Sequence, residues 1–325
     1  MSELYEKSLL KLELDQVLSL LAECAGSYDG KEACMQLRPT SDLEDVQQLL
    51  AETTAASELC TRRGNPNFSD IHDPTASLER ADRGGSLQSK ELLRIASVLR
   101  CARNIKSYQS EDENRTILDP LFLALSPNKY LEDRIFGAIL SEEEIADDAS
   151  PGLKSVRRSM KVTADKIREQ LNSIVSSQET KGMLQDSLVT MRNGRYCLPV
   201  KQEYKGQFNG LIHDQSAKGS TVFMEPAAVV KLNNELSELM LKEAKEIEKI
   251  LAELSAQAAV HTEDLKYNID TLIELDFIFA RASLAKAIQN SAHSSVSKSP
   301  TIRKIIWKFM RNLFSKNKRK TQVNL

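Results

Sequence analysis

Apolar residues recur at helical spacing through most of this 325-residue chain. Between Leu12 and Cys24, the residues Leu14, Val17, Leu18, Leu21 and Ala22 share one face, and Gly26 offers a stop. The pattern predicts a second helix from Gly30 to Leu37, before Arg38-Pro39, and a third after Ser41 with acids in its first turn, where the helix dipole favours them. That third helix ends at Gly64-Asn65-Pro66. Residues 64–86 form a Gly-, Pro- and Asp-rich crossing anchored by Ile71 and Leu78. Leu92, Leu93, Ala96, Leu99 and Ala102 line the next helix, which ends near Tyr108. Ser107 to Asn114 is polar loop, and shorter helices over 119–147 lead to a clear break at Ser150-Pro151-Gly152.

Past that break, Leu153, Val156, Met160, Ile167, Leu171, Ile174 and Val175 keep a stripe near the coiled-coil period to about Ser177. A helix of that length is on the order of 40 Å long. Between Arg192 and Glu235 the rhythm changes: Tyr196, Leu198 and Val200 alternate, Gly206 and Gly210 punctuate, and Leu211-Ile212 and Thr221-Val222-Phe223 are short β runs. Leu232, Leu236, Leu239, Ile247, Ile250, Leu254, Ala258, His261, Leu265, Leu272, Leu275 and Phe279 then return to helical phase. With no Gly or Pro from Ala227 to Ala287, an unbroken helix would span on the order of 90 Å. The expected fold is mainly α: a helical core with two long antiparallel helical arms and a small β unit at their joint tip. A stripe of this kind reports burial rather than activity.

Composition agrees, since only 12 Gly and 9 Pro are spread over the chain and 41% of residues are hydrophobic. The formal charge of −2 hides an uneven distribution. Residues 291–325 hold nine bases and no acid, which leaves 35 bases against 46 acids in the rest. A uniformly basic nucleic-acid binder is excluded, but a local basic groove is not. Cys24, Cys34, Cys60, Cys101 and Cys197 are scattered, without Cys-x-x-Cys or matching His spacing, so neither a disulfide framework nor a metal site is expected. The amino terminus is charged throughout and has no apolar run of signal length, so a cytoplasmic location is expected.

Several stretches together carry a family resemblance: Asp70 to Pro74 (DIHDP), Gly84 to Leu87 (GGSL), Arg195 to Lys201 (RYCLPVK), His213 to Ser216 (HDQS), Gly219 to Pro226 (GSTVFMEP) and Leu232 to Leu236 (LNNEL). The chain resembles the amino-terminal part of bacterial MutS-type proteins of the second branch, MutS-II, over roughly residues 1–288, most specifically over 195–236. The resemblance implies a helical core over 1–150, an outgoing lever helix over 151–185, a β-rich clamp over 186–226 and a returning lever over 227–289, followed by a divergent basic tail over 290–325. It also implies DNA as partner, in branched or recombination intermediates whose exchange the family suppresses, or stalled and collided ribosomes, with homodimers in the family. Family members continue into a P-loop ATPase and usually an Smr-type nuclease. No Gly-x-x-x-x-Gly-Lys-Ser/Thr occurs here, and Ser216 to Thr221 lacks its first Gly and final Lys-Ser/Thr. ATP and Mg2+ are therefore expected to belong to an ATPase absent from this chain, and no enzymatic activity is expected of the chain alone. After about Ile288 the likeness stops, and Ile302, Ile305, Ile306, Phe309, Met310, Leu313 and Phe314 make an apolar face at helical spacing. That end is either a replaced terminus without a role or a basic amphipathic helix for an anionic surface.

A clamp that holds a nucleic-acid backbone needs cations and amides facing phosphate. Arg192, Arg195, Lys201, Lys205 and Lys218 are the candidate contacts, beside Lys181 and Lys231 and against Asp186, Glu203, Asp214 and Glu225. His213-Asp214 is expected to belong to a turn rather than to form an acid–base pair: Asp214 and Ser216 can cap backbone amides next to Gly219, and a His beside an Asp in sequence need not face it. Glu225-Pro226 is expected to close a strand and open the return helix. Tyr196, Tyr204 and Phe208 suit either base stacking or the small core of the tip. The rival expectation is a non-enzymatic helical-hairpin adaptor for a protein partner or membrane surface.

Overall fold

The computed structural model describes residues 13–69, 71–110 and 115–293. The amphipathic stretch from Ile302 to Phe314, with Trp307, lies outside the described residues. The helices are α1 (Leu14–Cys24), α2 (Tyr28–Gln36), α3 (Leu43–Arg63), α4 (Thr75–Asp82), α5 (Ser89–Ser110), α6 (Asp119–Ala124), α7 (Lys129–Ala138), α8 (Pro151–Ser176), α9 (Gln178–Lys181), α10 (Val230–Ala259) and α11 (Thr262–His293). The strands are β1 (Thr190–Arg192), β2 (Arg195–Lys201), β3 (Gly210–Gln215) and β4 (Thr221–Pro226). The fold is mainly α with one small sheet, as the periodicity predicts. Two compact units are present: the described residues up to Phe136 with those from Leu254 onward, and Gly137–Glu253.

In the first unit α11 packs against α1, α2, α3 and α5. Its buried residues Leu265, Ile269, Leu272, Leu275, Ile278 and Phe279 follow the 3.6-residue period, and each contributes roughly 1.5–3 kcal/mol by leaving water. The Phe279 ring meets Phe68, Tyr108 and Phe122 at 6.0, 5.9 and 6.4 Å. One acid lies buried among these residues. Asp276 accepts hydrogen bonds from the Gly26 and Ser27 amides and the Ser27 hydroxyl at 2.9, 2.8 and 2.6 Å. It thereby places a carboxylate at the positive end of α2, whose first turn Ser27 itself caps.

The return segment is not one helix. It breaks at Val260-His261, where the Thr262 hydroxyl bonds back to the Ala259 carbonyl and the His261 ring meets the Asn128 side chain at 3.0 Å. Glu263 and Asp264 then occupy the first turn of α11, as a helix start prefers. Thr262-Glu263-Asp264 was the signal for this break, and the absence of Gly and Pro masked it.

In the second unit, Ser150 caps α8 by accepting the Leu153 amide at 3.0 Å, and Pro151 occupies the first turn. Facing α8, the first half of α10 runs antiparallel. Ser150, Arg157 and Thr163 meet Glu246, Glu243 and Glu235 at 3.3, 2.7 and 3.3 Å, so the numbers climb on one helix as they fall on the other. The antiparallel sheet has the order β1-β2-β4-β3. Leu198, Val200, Phe208, Val222 and Met224 from the sheet region form one core with Ile167 and Leu171 of α8 and Leu236 of α10. The alternation expected at Tyr196, Leu198 and Val200 is lost locally, because Cys197 to Val200 are all buried.

Candidate nucleic-acid interface

The sheet is built around a two-residue hairpin. Asn193 and Gly194 both adopt left-handed backbone, with φ of 51° and 75°, the turn that suits the twist of paired strands. It sets Arg192 opposite Arg195, and the Asn193 side chain donates to the His213 carbonyl at 3.0 Å. Strand β3 carries a bulge between Ile212 and Asp214, which leaves His213 without a partner across β4. A bulge re-aims a side chain, and here the His213 ring meets Glu225 at 2.6 Å rather than its neighbour Asp214.

Glu225 is the centre of the arrangement. It is 0% exposed, and besides His213 it accepts from Arg195 at 2.8 Å and from the Asn233 amide at 2.7 Å. Burial alone would push its pKa up. The hydrogen bonds from Asn233, His213 and Arg195, with the Arg195 charge, outweigh that and hold the carboxyl below its ordinary value. Asn233 also ties into β2, accepting from the Tyr196 amide at 3.2 Å and donating to its carbonyl at 3.3 Å. The second Arg195 nitrogen reaches Asn234 at 2.5 Å. The first turn of α10 is thus fastened to β2 and β4 by one polar network.

Each candidate residue can now be placed. Arg195, 24% exposed at its side chain, spends its guanidinium on Glu225 and Asn234. Arg192 lies over the Phe223 ring, 4.0 Å from its centroid, and pairs with Asp214 at 3.2 Å. Lys201 donates to the Gly182 carbonyl at 2.8 Å. Lys205 and Lys218 are exposed, and neither has an ion pair among the described residues. The turn chemistry is as expected: Asp214 accepts the Gln215 amide, Ser216 accepts the Thr221 amide, and Gly219 takes φ of 71° with its amide on the Ser216 carbonyl. Pro226 ends β4, and a short 3-10 turn from Ala227 to Val229 precedes α10. Phe208 is core, packed with Tyr196 and Tyr204 at its edge.

Topology gathers the lysines at one end of the sheet. Lys201 at the end of β2 lies opposite Thr221 at the start of β4, and the Gln202 amide bonds to the Ser220 carbonyl at 3.1 Å. The loops carrying Lys205 and Lys218 therefore adjoin, and Lys201 reaches back to Gly182, next to Lys181. Glu203 is the acid between them. Asn233 and Asn234 are the functional residues that residue-type reasoning passes over, although their LNNEL stretch is one of the resemblance motifs. Two adjacent amides at the start of the return helix were the available signal.

No family model matches the chain. It is 51% identical over 294 residues to Endonuclease MutS2 of Lachnoclostridium phytofermentans, covering 88% of this chain and 37% of that protein. The proteins of the same name from Agathobacter rectalis and Acetivibrio thermocellus are each 45% identical over 284 residues, 86% of this chain and 36% of each relative. The chain therefore spans little more than a third of the length of these relatives. Over the part it shares with them, the chain is similar to proteins of the MutS family, on its MutS2 branch.

Proposed function

We propose that this chain is the phosphate-gripping part of a DNA-binding protein that acts on branched or recombination intermediates, and that it performs no chemistry by itself. The observation that supports this is the lysine-bearing end of the sheet, where Lys181, Lys201, Lys205 and Lys218 lie on adjoining segments joined by the Lys201–Gly182 and Gln202–Ser220 hydrogen bonds. Cations on preorganised loops hold a backbone without reading bases, which suits a ligand recognised by shape. Arg192 and Arg195 are engaged within the unit instead, Arg192 with Asp214 and Phe223 and Arg195 with Glu225 and Asn234. The word endonuclease in the relatives' names is said of those proteins and is not assigned to this part.

The test is binding of the purified chain to four-way-junction DNA across a salt series, beside a Lys201→Ala/Lys205→Ala/Lys218→Ala variant. Each phosphate contact contributes about 0.9 to the log–log salt slope, so three lost contacts lower it by about 2.7. An unchanged slope in the variant, or no salt-dependent binding by the parent, would refute the proposal and leave the protein-partner adaptor as the better account.

A further inference from the structure

Helix α8 carries a charge pattern that the tip does not explain. It holds six basic residues and two acidic ones, whereas α10, its antiparallel neighbour, holds four basic and six acidic. On a solvated helix face, opposite charges ordinarily alternate and pair three or four residues apart. On α10 the signs alternate in sequence, with Lys242, Lys245 and Lys249 among Glu243, Glu246 and Glu248. On α8 they do not. Lys154, Arg158, Lys161, Asp165 and Arg168 follow one another at spacings of four, three, four and three residues, which confines them to an arc of about 80° on one flank.

This flank is not consumed by packing. The buried residues of α8 are Leu153, Thr163, Ile167 and Leu171, and the one base that turns toward α10, Arg157, is spent on Glu243, Asp147 and the Ile145 carbonyl. Lys154, Arg158 and Lys161 are exposed and form no ion pair among the described residues. Arg168 shares Asp165 at 3.4 Å, with both side chains about 60% exposed, a pair that water and salt weaken strongly. Its guanidinium also lies 5.9 Å from the Tyr196 ring, so the stripe ends against β2, the strand that carries Arg195 and Lys201.

We propose that the outer flank of α8, from Lys154 to Arg168, is a second phosphate-binding surface that lies along the backbone of duplex DNA. The inference rests on the DNA-binding reading above and extends it from the tip to the helix. The fourteen helical rises between Lys154 and Arg168 span about 21 Å. One strand of B-DNA places a charge about every 3.4 Å along the axis, so about six phosphates of a strand face that length, enough for four cations. A straight row at this spacing suits a regular polyanion.

The test uses the full chain and fluorescein-labelled duplex DNA in a salt series, with three variants of equal charge change. They are the stripe variant Lys154→Gln/Arg158→Gln/Lys161→Gln, the tip variant Lys201→Gln/Lys205→Gln/Lys218→Gln, and the α10 control Lys242→Gln/Lys245→Gln/Lys249→Gln. Because all stripe positions are exposed, circular dichroism should be unchanged throughout. The expected result is a salt slope lowered by two to three units, at about one unit per contact, in the stripe variant and in the tip variant but not in the control. A stripe variant with the parental slope, beside a weakened tip variant, overturns this inference and leaves the proposed function standing. A control that loses as much as the stripe overturns it as well, because net charge alone then explains the effect. A parent without salt-dependent binding overturns both.

Discussion

Replacing Glu225 by Ala tests whether the network at the tip holds the sheet to α10. The carboxylate accepts hydrogen bonds from Arg195, His213 and Asn233 at 2.8, 2.6 and 2.7 Å and is fully buried. A hydrogen bond to a charged group contributes about 1.5–3 kcal/mol, but three bonds to one acceptor are not additive. The nearer guide is removal of one partner from a buried ion pair, about 3–5 kcal/mol, because Arg195 would be left with no compensating charge. Urea unfolding followed by circular dichroism reads this. With a slope of about 2 kcal/mol per molar, the transition that reports the second unit moves down by about 1.5–2.5 M at pH 7. Lys218→Ala, at an exposed loop position, should leave it in place. A Glu225→Ala shift under about 0.5 M would show that the carboxylate is dispensable and would sink the reasoning.

The pH dependence gives an independent sign. Glu225 titrates lower in the folded protein than in the unfolded chain, so the unfolded chain binds the proton more readily in acid. Its contribution is complete above the ordinary carboxylate pKa of about 4.3 and is lost as pH falls through the lower folded value. The stability gap between parent and Glu225→Ala should hold steady from pH 7 to about 5 and narrow only below about 4. A gap that closes between pH 7 and 5 would assign the effect to another group.

Two glycines should respond differently to Ala. At Gly30 a methyl group would sit 2.2 Å from the Asp276 carboxylate, and thermal melts should show a loss of about 1–3 kcal/mol from overpacking; a neutral substitution would mean that Asp276 does not cap α2. At Gly194 the space is open but φ is 75°, so only the left-handed backbone is penalised, by about 1–2 kcal/mol, and Asn there should restore most of it. Burial, with Glu225 nearby, pushes the Cys197 thiol up to about 11, so at pH 8 only about one thiol in a thousand is ionised. Iodoacetamide should therefore label Cys197 in step with urea unfolding, as judged by mass spectrometry. Rapid labelling of the folded chain would show that β2 is open to solvent.

How far the sequence could be followed depends on which interactions leave a periodic trace. The helices were legible because burial acts on every third or fourth residue, and the caps Ser27, Asp42 and Ser150 sit where the pattern starts. Strand β1 was not legible from three residues, although Asn193-Gly194 is a strong hairpin signal. The roles of the arginines were hidden for a different reason. A charged side chain reads as solvated until a buried acid is placed beside it, and Glu225 lies thirty residues from Arg195 in sequence and is reached only by strand pairing. The bulge at His213 is similarly silent, since a single unpaired residue leaves no period.

The charge balance of the chain becomes intelligible once its acids are assigned to partners. With 46 acids against 44 bases, no long-range field draws a polyanion to it, and contact must come from cations that local acids do not neutralise. In the second unit several acids are occupied: Glu225 by Arg195, Glu243 by Arg157, Glu246 by Ser150 and Glu235 by Thr163. Each of these bonds points a carboxylate between elements and fixes register at the same time. At physiological ionic strength charges more than about 8 Å apart are largely screened, so the remaining acids of α10 weigh little on the far flank of α8. Pairing that organises the helices and the sheet thus also leaves Lys154, Arg158, Lys161, Lys205 and Lys218 exposed on their own surfaces. A nearly neutral chain can in this way present local sites for phosphate, with part of its acids held in contacts between elements.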